Sequence, residues 1–122
     1  MTVSPHVAAT IAAIEAMPGA TGDPLASAKG VTLYKVMGKM FAILEARRLE
    51  LVILKCDPHL AETLREQYEG VGHRSHLDRR FWISVTLNSD VPTDEIARLI
   101  AHSYDQVASK LTKKQKADLA AL

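Results

Sequence analysis

The sequence predicts an α+β domain, a curved antiparallel sheet of about five strands flanked by helices, from three observations. Three apolar runs, VTLYKVM, KMFAILE and LELVILK, follow one another with only Gly38 and Ala46-Arg47-Arg48 between them. Separators that short allow hairpins and exclude crossover helices, so the pairing is antiparallel. Capped segments with helical apolar spacing lie on either side, and an apolar fraction of 48% in 122 residues suffices for one core. The whole chain, 1–122, is therefore expected to be one domain.

The elements are read in chain order. Ser4-Pro5 is a helix start, a polar cap followed by a proline whose missing N–H costs nothing there. Val7, Ile11 and Ile14 recur at helical spacing until Pro18-Gly19. Gly19 to Gly30, rich in Gly, Ala, Ser and Pro, is expected to be a loop crossing the surface. In the three strands, apolar residues stand on both faces, so both faces of the sheet are expected to be partly covered. Asp57-Pro58 starts a helix with Leu60, Leu64 and Tyr68 on its buried side and Gly70 at its end. In Phe81 to Leu87, alternation puts Phe81, Ile83, Val85 and Leu87 on the inner face and Trp82, Ser84 and Thr86 on the other. A helix from about Thr93 to Lys110 carries Asp94 and Glu95 in its first turn, where its dipole favours negative charge. Thr112 and Gln115 have capping-box spacing, which predicts a last helix through Leu119.

Charge and cysteine usage narrow the function classes. With 15 Lys and Arg against 14 Asp and Glu, the net charge is +1, and any polyanion site must come from uneven distribution. Lys35 to Lys55 is basic, whereas Asp90 to Asp105 is acidic. One cysteine excludes an intrachain disulfide and makes a reducing cytoplasm the expected location. No apolar run reaches the roughly 18 residues of a membrane span.

The stretch HRSHLDRRFWISVTL places the only tryptophan beside arginines. Arg74, Arg79 and Arg80 have the chemistry to meet phosphates, His76 to add charge below neutral pH, and Trp82 to stack on a base. Lys35, Lys39 and Lys55 extend this set. The competing reading is that Trp82 packs under a loop or the final helix, with the arginines pairing nearby acids. Two further readings stay open: a small-molecule domain with Trp82 as a stacking wall, and a homodimer formed through the outer face of this strand. Cys56 ends an apolar strand and is expected to be a buried structural thiol. His73, His76 and His102 match no metal-ligand spacing, and no glycine-rich phosphate loop or catalytic motif is present. An enzyme, a cofactor and a resident metal are thus not expected.

The phrases MPGAT, YKVMGKMFAIL, LKCDPHLAETLREQY, HLDRRFWISVTLNSDVP and IAHSYDQVASKLTKK, in this order, resemble the MmcQ/YjbR family of small bacterial proteins, from about Met17 to Lys114. The resemblance implies a frataxin-like, or double-wing, antiparallel sheet flanked by helices. It also implies DNA binding, the role commonly ascribed to such proteins, here weak and with little sequence preference. The chain departs from the family's usual look at Asp78, where a neutral polar residue is more common, and in Gly22 to Gly30, which lacks an aromatic. Iron binding of the frataxin type would need an acidic ridge on the first helix, which carries only Glu15.

Overall fold

The structure, a computed structural model, describes residues 3–122. Four helices and six strands alternate as α1 (Pro5–Glu15), β1 (Ala20–Pro24), β2 (Val31–Val36), β3 (Lys39–Ala46), β4 (Glu50–Lys55), α2 (Pro58–Gln67), β5 (Val71–Gly72), β6 (Trp82–Thr86), α3 (Thr93–Ala108) and α4 (Lys113–Ala120). The strands form one antiparallel sheet in the order β1-β2-β3-β4-β6-β5.

The caps read from the sequence are in place. Ser4 Oγ accepts the Val7 N–H, Asp57 accepts the N–H groups of His59 and Leu60, and Thr112 and Gln115 form a reciprocal capping box. The β2–β3 connection is the two-residue turn Met37-Gly38, with φ of 49° and 79°. Positive φ at both positions gives the turn whose twist matches its strands. A Cβ on Gly38 would meet nothing within 4 Å, so glycine serves there for its conformation alone.

One face of the sheet carries Tyr34, Val36, Ala42, Leu44, Val52, Leu54, Ile83 and Val85, all buried under α1 and α3. Phe41 meets Tyr104 of α3 edge to face, with ring centroids 5.5 Å apart. Ser103, fully buried, ties α3 to the sheet. Its hydroxyl donates to the Phe41 carbonyl and accepts the Lys55 N–H at 2.8 Å. It thereby satisfies two backbone groups just beyond the point where the β3–β4 ladder stops, at Ala42↔Leu54.

Two expectations are corrected. Gly19 to Gly30 is not all loop: Ala20–Pro24 pairs with β2 from Ala20↔Val36 to Pro24↔Thr32. With the two-residue β5, this makes six strands where about five were expected. In ATGDP only Thr21 favours a strand, so the element depends on its backbone ladder to β2. Phe81 does not join Ile83, Val85 and Leu87 in the core. It precedes β6 in a turn closed by its N–H to the Asp78 carbonyl, and 38% of it is exposed, with Arg80 over its ring at 5.2 Å. Alternation fails there because the strand starts one residue later.

Candidate anion-binding cleft

Register fixes which side chains share the sheet's second face. Lys35, Leu33 and Val31 of β2 stand opposite Met40, Ile43 and Glu45 of β3. Ile43 and Glu45 face Ile53 and Leu51 of β4, and Lys55, Ile53 and Leu51 face Trp82, Ser84 and Thr86 of β6. This is the face that alternation assigned to Trp82. Trp82 is half-buried, between the two outcomes the sequence left open.

The basic residues on and around this face do not form one patch. Lys35 pairs with Asp23 of β1 at 3.8 Å. Arg80 makes a two-pronged pair with Asp78, Nη2 to Oδ2 at 2.8 Å and Nε to Oδ1 at 3.2 Å. That guanidinium holds the exposed Asp78 carboxyl at about 2, so the pair persists at any ordinary pH. Arg79 and Arg80 line a separate cleft together with Arg65, Glu62 and Glu66, so carboxylates stand among these guanidinium groups. Arg74 and His76 lie elsewhere again, at the rim of a groove in the middle of the face.

Lys39 and Lys55 do come together. They border a cleft of about 300 Å³ at the end of the sheet, completed by Met40, Val107, Leu111 and a third lysine, Lys110. Among the described residues, the ion pairs are Lys35–Asp23, Arg47–Glu45, Arg80–Asp78 and those of Arg98 with Asp94 and Glu95, and none involves these three lysines. Burial, then the nearby Lys110, lowers the pKa of Lys55 from its ordinary value. Like charges held together without a counter-charge are what an anion would relieve. Trp82 is the cross-strand partner of Lys55 on β6.

Local structure positions each group. The Met37-Gly38 turn delivers Lys39 at the first position of β3, and the Ser103 hydroxyl fixes the Lys55 backbone. Lys110 follows the end of α3, its N–H bonded to the Val107 carbonyl. Arg65 of α2 fixes the start of β6, since its Nη2 donates to the carbonyls of Arg79 and Trp82 at 2.8 and 2.9 Å. Sequence reasoning missed Lys110. It stands far from Lys39 and Lys55 in the chain, and its only signal was its place at the end of the predicted helix.

The remaining reactive groups have structural roles. Cys56 is buried, and burial pushes its thiol up to about 11. His102 Nε2 accepts the Asp57 N–H at 3.1 Å, joining α3 to the start of α2. Among the described residues, no three His, Cys, Asp or Glu side chains are grouped as metal ligands. None of the described helices is long and apolar enough to cross a membrane.

Residues 15–106 match the model of the YjbR family. The chain is 34% identical over 86 residues to the uncharacterized protein YjbR of Escherichia coli K12, covering 70% of this chain and 73% of that protein. It is 34% identical over 56 residues to the uncharacterized protein YyaQ of Bacillus subtilis, or 46% of this chain and 47% of that one. Among solved structures, Deinococcus radiodurans DR2400, of the DUF419 family, superposes with a TM-score of 0.78 at 26% identity, covering 89% of this chain and 83% of DR2400. A Pseudomonas syringae protein with a TM-score of 0.66 and 23% identity, covering 76% and 91%, shares the fold.

Proposed function

The chain belongs to the YjbR family, and from that premise we propose that it is a non-enzymatic protein that binds single-stranded DNA or a similar polyanion through the lysine cleft beside Trp82. The observation that carries this reading is the gathering of Lys39, Lys55 and Lys110 around one cleft without an acidic partner, with Lys55 paired across β4–β6 to the only tryptophan. Lysines of this kind meet phosphates, and a half-buried indole offers a stacking surface to an unpaired base. Duplex DNA keeps its bases stacked inside, so the tryptophan favours single strands. With a net charge of +1 and three cations in the cleft, binding is weak, salt-sensitive and largely indifferent to sequence.

The non-enzymatic part of the proposal is supported by the absence of any nucleophile–base pair among the residues bordering the cleft and by the burial of Cys56. A titration with a thymidine oligonucleotide, followed by Trp82 fluorescence, tests the proposal. It predicts quenching at about 50 mM salt that fades at about 200 mM. Constant fluorescence together with no association at the lower salt would overturn it.

A further inference from the structure

A second site lies on the sheet face that carries Trp82, meeting the lysine cleft only at Met40. Between the segment Leu25 to Ala28 and the segment Arg74 to Leu77 runs a groove of about 390 Å³, within the roughly 300–1,000 Å³ of small-molecule sites. Its floor is apolar: Leu33, Met40, Ile43 and Ile53 present a continuous aliphatic strip across β2, β3 and β4. Leu33, Met40 and Ile43 are only partly covered, an unusual state for neighbouring aliphatic side chains on a sheet.

Both walls are held in place. On one side, the His73 ring donates from Nε2 to the Leu77 carbonyl at 2.6 Å, and Ser75 Oγ accepts the Leu77 N–H at 3.3 Å. On the other, the Leu25 N–H bonds to the Val31 carbonyl at 2.9 Å and the Val31 N–H to the Ala28 carbonyl at 3.1 Å. The groove is therefore largely formed before any ligand arrives.

Its polar groups are concentrated at one end. Arg47 and Arg74 border both the groove and the adjoining recess that holds Arg48, and the only carboxylate lining either is Glu45, paired with Arg47 at 3.4 Å. Arg48 and Arg74, both exposed, have no acidic partner among the described residues, and the exposed His76 lies on the same rim. An aliphatic floor leading to uncompensated arginines complements a molecule with an apolar tail and one anionic head, because the arginine fork matches a carboxylate. From Met40 to Glu45 the floor extends about 16 Å along β3, room for a medium-length alkyl chain.

We propose that this groove binds a soluble, fatty-acid-like carboxylate, its tail on Leu33, Met40 and Ile43 and its head on Arg74 at the Arg47–Arg48 end. This goes beyond the polyanion reading and shares only Met40 with the lysine cleft. Titration calorimetry with decanoate, with decanol as the uncharged control, tests it on the full chain. Saturable one-to-one decanoate binding, at least about tenfold tighter than decanol, is expected from one charge-assisted contact. Arg74→Ala, on the exposed rim, weakens decanoate by about tenfold and leaves decanol unchanged. Ile43→Gln weakens both ligands, with circular dichroism checking that this half-buried variant folds. Lys39→Ala and Lys110→Ala leave decanoate binding intact, which separates this site from the lysine cleft. No decanoate binding, equal affinity for decanol, or insensitivity to Arg74→Ala would overturn the proposal.

Discussion

The turn from Asp78 to Phe81 and the cleft of Lys39, Lys55 and Lys110 both bring cations to the neighbourhood of Trp82, yet they differ in the one respect that matters to an anion. In the turn, Arg80 is spent on Asp78 and on the ring of Phe81, and Arg79 lines a cleft that holds Glu62 and Glu66 as well as Arg65. In the cleft, three lysines stand together with no acid, and the pKa of Lys55 is lowered by burial and then by Lys110. The sequence displays the first group and scatters the second over more than seventy positions. The number of basic residues in a window therefore says little about where a field survives, because local pairing decides it.

The largest expected effect sharpens this contrast through the scaffold. Ser103→Ala leaves the Phe41 carbonyl and the Lys55 N–H buried without a partner and should lower stability by about 2–4 kcal/mol, read as a fall in the urea midpoint. Arg80→Ala, at the exposed turn, should stay within about 0.5 kcal/mol. Equal losses would show that the turn, and not the α3–sheet junction, organises this end of the sheet.

Next in size is the chemistry of Cys56, which joins the two regions: it follows Lys55, and its N–H bonds to the Phe81 carbonyl at 2.8 Å. Burial raises its thiol from 9.0 to about 11, so folding favours the neutral form. The stabilisation this represents is present below pH 9.0 and is lost as the pH rises through about 11. Iodoacetamide at pH 8 should modify the folded protein about a hundredfold more slowly than the urea-unfolded chain. Comparable rates would mean that the strand between the two regions is open to solvent.

How far the molecule was legible in its sequence follows from the range of the forces involved. The caps at Ser4, Asp57 and Thr112, a hairpin at Gly38 and the antiparallel order of β2, β3 and β4 depend on residues close in the chain, and they are as read, with Met37 joining the turn. Strand β1 was missed because its pairing is lent by β2 and not by its own residues. The inward placement of Phe81 failed because a turn anchored on Asp78 claims it before the ladder begins. For the site, Trp82, Lys39 and Lys55 were identified: Lys55 and Trp82 are cross-strand partners, and Lys39 borders the same cleft as Lys55 although its own partner, Val36, lies on the helix-covered face. Lys110 joins them only when α3 has packed. The pairing of Arg80 was visible two residues away in Asp78, whereas that of Lys35 with Asp23 needed β1.

A smaller effect is expected from Asp78→Asn, which removes the partner of Arg80 without touching the lysines. The Asp78 carboxylate contributes to the native state above its ordinary value of 3.8, and that contribution is lost only as the pH falls through about 2. The substitution thus reaches what acid cannot reach in a binding assay. Oligonucleotide affinity should rise by no more than about threefold, the scale of one exposed ion pair. A tenfold gain would put Arg80 on the path of the strand and erase the distinction between turn and cleft.

The most direct test of the central claim is the dependence of oligonucleotide affinity on salt, measured by fluorescence anisotropy for three proteins. Each phosphate contact on a single strand contributes about 0.7 to the slope of log K against log salt. Replacing Lys39, Lys55 and Lys110 together by Ala should lower that slope by about 2, whereas Arg79→Ala with Arg80→Ala should leave it unchanged. A slope that falls with the arginines and survives loss of the lysines would contradict the account.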